Sequence, residues 1–314
     1  MSPETSPALL DLDALLSRRM VVVTGKGGVG KTTVATALAL RAAGRGKRVL
    51  LAQFESIVDA GYLLGSKPVG SDVTEMDRGL WVVNMTPRSS LREYGLLIFR
   101  FKSIVKAVLE SRTVRHFLRA IPGLDDYSML GKAWYHTTEV EHGQSRFDLV
   151  VVDGPPTGQM VKVFSVPRNI EQTVPDSMLT RDATSIQAFL TNPKRCGAVI
   201  VTLAEELPVS EALELVQAVR ELGMDVAGVV VNALYPKSRN VALLEEVQAA
   251  AVEADGRLAT LLEEARIFHR RRAINEHHLT RLSQRCNAPL RELPLLFTDG
   301  LGRPQLDELV SALG

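Results

Sequence analysis

Short, continuously apolar runs alternate along this chain with longer stretches whose apolar positions recur every three or four residues. The runs predict strands at Met20–Val23, Arg48–Phe54, Leu80–Met85, Phe147–Val152, Ala198–Leu203, Val226–Val231 and Arg291–Leu295. Several are β-branched and apolar throughout, as in strands covered on both faces. The alternation predicts an α/β fold, a doubly wound and mostly parallel sheet with helices on both faces.

Two intervals break the rhythm. From Ser89 to about Gly143 the text is helical without a strand, with apolar groups from Leu91 to Ile121, interspersed basic residues and a break at Pro122-Gly123. It predicts a helical subdomain over 89–143, inserted within a single domain spanning 1–314. A second, shorter insertion over 163–193 holds Pro167, Pro175 and Pro193 and predicts a mixture of loop and short helix. Residues 234–284 predict two or three charged helices. Near 305–313 a last helix carries Leu306, Leu309, Val310 and Leu313 beside acidic residues, which favours packing on the sheet over membrane anchoring.

Composition narrows the class. Hydrophobic residues make up 46% of the 314 residues and charged residues 23%, ordinary values for a globular protein. With 37 basic against 36 acidic residues, no bulk field draws nucleic acid or an anionic membrane. The densest basic patch, His269 to Arg272, reads as a solvated helix face. No run approaches the roughly 20 apolar residues of a membrane span. The first residues lack the basic start and apolar core of a secretory signal, so the expected location is the cytoplasm, with no integral membrane segment. Cys196 and Cys286 form no C-x-x-C pair, which argues against a disulfide framework, structural zinc or an iron–sulfur cluster.

The chemistry begins at Gly25-Lys26-Gly27-Gly28-Val29-Gly30-Lys31-Thr32-Thr33. Gly25, Gly30, Lys31 and Thr32 fill the frame G-x-x-x-x-G-K-[ST], between an apolar strand and a helical pattern. In such a loop, glycines let backbone N–H groups wrap a phosphate at a helix N-terminus. Lys31 would reach the β- and γ-phosphates, and Thr32 would hold Mg²⁺. ATP and Mg²⁺ are therefore the expected ligands. Lys26 is surplus to this cradle; it either faces solvent or answers negative charge on a nucleotide, including one bound by a neighbouring subunit.

Asp153 ends the run Phe147–Val152 and precedes Gly154-Pro155-Pro156-Thr157-Gly158. An acid at the carboxyl end of a central strand can bind Mg²⁺ through water, while the turn after it senses the γ-phosphate.

K-G-G-x-G-K-[ST] resembles the deviant Walker A loop of the dimeric ATPase class that includes the MinD, ParA, nitrogenase iron-protein and arsenite-pump families. That resemblance implies that Lys26 reaches the partner's nucleotide across a homodimer, or a heterodimer with a related ATPase. D-x-x-P-T-G, here Asp153, Pro156, Thr157 and Gly158, is similar to switch II of the ArsA family of arsenite-pump and guided-entry ATPases. Val201 to Pro208, followed by Glu211, looks like that family's strand-to-helix segment. Asn232 matches the asparagine that reads adenine, and an amide can both donate to and accept from the base. Pro294 to Phe297 is similar to the segment on the other side of the adenine pocket. The match covers most of the chain, in the family's order.

Three departures qualify it. Glu55 stands where the family keeps the aspartate that positions the attacking water, with Asp59 as a fallback. The cysteine cluster that binds metalloid is missing, as are the zinc-clamping C-x-x-C and the long methionine-rich insert. The resemblance therefore implies an ATP hydrolase that couples Mg-ATP to dimer opening and closing and to a protein client or membrane-associated partner, membrane-protein targeting included. A client groove could be built from the apolar helices of 89–121. A nucleotide switch with little turnover and an arsenite-efflux subunit are alternatives. Positioning of DNA or division machinery shares only the loop, and no nucleic acid partner is expected.

Overall fold

The computed structural model describes residues 8–56, 58–99, 124–237 and 256–314. Ten strands occur among them: β1 (Met20–Gly25), β2 (Val49–Phe54), β3 (Thr74–Asp77), β4 (Leu80–Met85), β5 (Val140–Glu141), β6 (Gln144–Ser145), β7 (Leu149–Pro156), β8 (Cys196–Leu203), β9 (Val226–Leu234) and β10 (Leu290–Pro294). Eight of them form one sheet in the order β10-β9-β8-β1-β7-β2-β4-β3, while β5 and β6 make a separate hairpin. Every pairing in the large sheet is parallel except that of β3 with β4. The seven apolar runs are thus its seven parallel strands. The eighth, β3, is an edge strand whose Thr-Glu-Met-Asp text has a single apolar residue, Met76, which packs against the second core layer.

Strand alternation sorts the core into two layers. Met20 and Val22 point into one cluster with Tyr127, Phe147, Phe164 and Phe189. Val21 and Val23 point into the other with Leu38, Leu51 and Leu306. The first layer is covered by α5 (Leu124–Thr138), α6 (Thr157–Thr173), α7 (Met178–Leu190) and α8 (Glu206–Glu221). The second is covered by α1 (Leu12–Leu16), α2 (Lys31–Gly44) and α10 (Arg303–Leu313), with the short α3 (Ala60–Leu63) at its margin. Helices on both faces make this the doubly wound fold that the alternation predicts. The terminal helix buries Leu306, Leu309 and Leu313 against the sheet layer, and its acidic face stays outside.

Where text and structure part, the cause is local. Within 89–143, where no strand is expected, Val140–Glu141 pairs with Gln144–Ser145 across a turn at His142-Gly143. In that interval α4 (Pro87–Phe99) and α5 pack together, and α5 also places Tyr127, Met129, Leu130 and Ala133 in the sheet core. Residues 100–123, which hold much of the apolar text proposed as a client groove, lie outside the described residues. Over 157–190, two well-formed helices replace the expected mixture of loop and short helix. Pro167 sits inside α6 and forfeits one backbone bond; burial of Val163, Phe164, Val166 and Ile170 around it offsets that loss. Of the charged helical text from 234 to 284, the described part is α9 (Gly256–Arg285), a single helix of 30 residues.

Candidate nucleotide site

The carboxyl ends of β1, β7 and β2 lie side by side, with Val23 opposite Asp153 and Asp153 opposite Gln53. The loop after β1 curls over this edge and enters α2 at Lys31. Two of its glycines are fixed by close approach. A Cβ on Gly25 would collide with the Val201 carbonyl of β8. Gly30 has φ +92°, and a Cβ there would strike the Asn232 amide. Gly27 and Gly28 are exposed at the tip of the loop, while Val29 beside them is buried. Lys31 folds over the loop and donates from Nζ to the Lys26 carbonyl at 3.0 Å. Burial lowers its pKa, and the charge of Asp153 partly opposes that shift.

Beneath the loop, Thr32 Oγ1 donates to Asp153 Oδ2 at 2.8 Å. Asp153 is 3% exposed. Desolvation raises its pKa, against hydrogen bonds from Gln53 and Thr32 and the charge of Lys31. A hydroxyl and a carboxylate are hard oxygen donors, so the pair suits Mg²⁺ held directly by Thr32 and through water by Asp153. The Thr157 hydroxyl at the start of α6 is buried with no hydrogen-bond partner among the described residues. A buried orphan hydroxyl at the end of β7 suits a polar ligand or its water. Gly154, Pro155 and Pro156 do not form the turn read from their sequence; they prolong β7, and α6 starts directly at Thr157. β2 pairs with β7 only as far as Asp153, so the missing proline N–H groups forfeit no bond to it.

Lys26 Nζ is 2.7 Å from Glu211 Oε1 of the same chain, an ion pair about a third exposed on each side (29% and 32%). Lys26 is thus paired within its own chain while keeping part of its surface in solvent.

The loop after β2 is held differently. Glu55 is exposed, takes a left-handed φ of +46° and donates its N–H to Met85 O at 2.8 Å. Asn84 of β4 clamps Ser56 from both sides, accepting from its N–H and donating to its carbonyl, each at 3.1 Å. Asp59 is 6% exposed and caps α3. Its two oxygens accept from Gly61 N–H and Val69 N–H, both at 2.7 Å. Those bonds occupy the side chain, which leaves Glu55 as the carboxylate free to face a ligand from this loop. Gln53 and Asn84 escaped the sequence reading, although each is a lone amide in an otherwise apolar strand (V-L-L-A-Q-F and L-W-V-V-N-M), and that was the available signal.

Asn232, at the end of β9, donates from Nδ2 to Val29 O at 3.0 Å. One amide hydrogen and the carbonyl remain for a base. Pro294 ends β10 opposite Leu234. Phe297 is 62% exposed and lines a cavity of about 420 Å³ with Pro236, Phe268, His269 and Arg272. The Phe268 and Phe297 rings meet edge to face at 5.3 Å. Arg272 corrects the reading of the basic patch as a solvated face. His269, Arg270 and Arg271 are exposed, but Arg272 is 7% exposed and donates to Tyr235 O and Glu276, each at 2.9 Å.

The family profile described as anion-transporting ATPase matches residues 18–184 and 175–313. ATPase BagA of Mycobacterium tuberculosis is 27% identical over 94% of this chain and 92% of its own length. ATPase GET3 of Kluyveromyces lactis is 25% identical over 71% of this chain and 75% of its own. The arsenical pump-driving ATPase of Escherichia coli is 25% identical over 68% of this chain and 39% of its own. Among the described residues no helix is long and apolar enough to cross a membrane.

Proposed function

The chain belongs to the ArsA family of anion-transporting ATPases, and from that premise we propose that it hydrolyses ATP with Mg²⁺ as a dimer, with itself or a related ATPase. The observation that carries the reading is the 2.8 Å contact of Thr32 with Asp153 under a glycine cradle. Thr32 and, through water, Asp153 would hold Mg²⁺, which would supply charge neutralisation to the phosphates. The loop amides and Lys31 hold the phosphates. Glu55 orients a water whose oxygen bonds to the γ-phosphorus as the bond to the ADP oxygen breaks. Its proton passes to the Glu55 carboxylate and then to the released phosphate, and ADP leaves with the bridging oxygen's electron pair. Lys26 neutralises the transferred group from the partner's side, which requires it to leave Glu211. Asp153 and Thr157 link phosphate state to α6, and Asn232, Pro294 and Phe297 hold the base.

Dimer opening and closing would then move a protein client or a membrane-associated partner in the cytoplasm, with membrane-protein targeting among the candidate tasks. Metalloid pumping is less well supported. Burial pushes the Cys196 thiol up to about 12 and raises Cys286, and both side chains are buried, which disfavours thiolate ligation.

A nucleotide switch with little turnover has one specific observation in its favour, the glutamate at 55 with its left-handed backbone. Phosphate release by the full chain separates the two readings. Hydrolysis that needs Mg²⁺ and is lost in Lys31→Ala is the expected result. Nucleotide binding without Mg²⁺-dependent release would favour the switch, and the absence of both would overturn each.

A further inference from the structure

Three polar side chains stand at one register level across neighbouring strands: Asp153 on β7, Gln53 on β2 and Asn84 on β4. Gln53, the middle one, is 0% exposed. Its Nε2 donates to Asp153 Oδ2 at 3.1 Å and to Val58 O at 3.0 Å, and its Oε1 accepts from Ala60 N–H at 3.0 Å. Both amide hydrogens are therefore used, one on the acid that also accepts from Thr32, the other on the loop that begins with Glu55. A leucine or methionine would fill the same core volume, so packing alone does not call for an amide here. Asn84 clamps the near end of the loop at Ser56, and Asp59 fixes its far end to α3 and Val69. The stretch between those anchors is tied to the nucleotide side through Gln53.

We propose that Gln53 is a positioning residue that couples Asp153 to the 55–60 loop, so that filling the Mg²⁺ corner sets the loop that presents Glu55. The inference rests on the ATPase reading given above. When Thr32 turns its hydroxyl from Asp153 to a metal, Asp153 keeps Gln53, beside the Ser56 hydroxyl, as a side-chain donor, and of these only Gln53 also bonds Ala60. A shift of the carboxylate is then passed to Val58 and Ala60 through a planar amide held by three bonds.

Three proteins test it: wild type, Gln53→Met, which keeps the volume and removes all three bonds, and Gln53→Glu, which keeps the acceptor for Ala60 but has no donor when ionised. The measurements are hydrolysis, and hydrogen exchange with and without Mg²⁺ and a non-hydrolysable ATP analogue. In wild type, nucleotide with Mg²⁺ should slow exchange over both 25–36 and 55–64. In both variants the slowing over 25–36 should persist while that over 55–64 is lost. Turnover should fall about tenfold or more with KM for ATP changed less than about threefold. Retention of the 55–64 response and of turnover within about twofold in either folded variant would overturn the proposal. A merely structural role would change exchange over 55–64 equally with and without nucleotide, which would also overturn it. Absence of Mg²⁺-dependent hydrolysis in wild type would instead count against the ATPase reading, and the exchange response still tests the coupling.

Discussion

The two loops that leave neighbouring strands at the carboxyl edge of the sheet are built on opposite plans. The loop after β1 is a backbone device. Glycines fit where a side chain would strike Val201 or Asn232, and a helix of 14 residues begins immediately behind it. The loop after β2 is a side-chain device. Gln53, Asn84 and Asp59 hold it with six hydrogen bonds, a seventh ties Gln53 to Asp153, and its one exposed carboxylate, Glu55, sits on a left-handed backbone. A backbone device binds any phosphate whose shape fits. A side-chain device can be tuned one residue at a time.

Substitutions should separate the two plans. The largest effect belongs to the first loop: Lys31→Ala should lower Mg²⁺-dependent phosphate release by about 10³-fold or more, since one cation on the transferred group carries that much. Glu55→Gln should lower turnover by about 10²-fold while leaving nucleotide affinity nearly unchanged. Equal losses in turnover and affinity would place Glu55 with the phosphate-holding groups instead. Between the loops stands Asp153. Its pKa is raised by burial, so protons compete with metal for the carboxylate above the usual value of 3.8. The Mg²⁺ concentration for half-maximal activity should rise about tenfold per pH unit once pH falls below that raised pKa. Without metal the sign reverses. A carboxylate whose folded pKa is raised favours the fold when protonated, and that contribution is lost as pH climbs through the folded pKa. The smallest effect is Asp59→Asn, which weakens a cap and should cost about 1 kcal/mol in thermal unfolding, with turnover changed only a few-fold. A loss as large as that of Glu55→Gln would make Asp59 the group that faces water.

The two plans also explain what could be read in advance. Apolar runs marked all seven parallel strands, because strands covered on both faces need such residues. The glycine loop was legible because its constraints are steric and local. The edge strand Thr74–Asp77 was not, since a half-exposed strand of four residues with one apolar side chain, Met76, makes no run. The pairing of Lys26 with Glu211 joins residues 185 positions apart and leaves no local mark. The bonds of Gln53 reach both along and across the sheet, and only the isolated amide in an apolar strand hinted at them. Proline was misleading in both directions: Pro167 stays within α6, and Pro155 and Pro156 lie in β7.

The central claim is a shared site, with Lys31 acting on its own chain's nucleotide and Lys26 on the partner's. Mixing inactive Lys26→Ala and Lys31→Ala chains tests it most directly, because a mixed dimer holds one site with both lysines and one with neither. Random pairing should restore about a quarter of wild-type hydrolysis. Mixtures that form dimers with ATP and stay as inactive as either parent would contradict it.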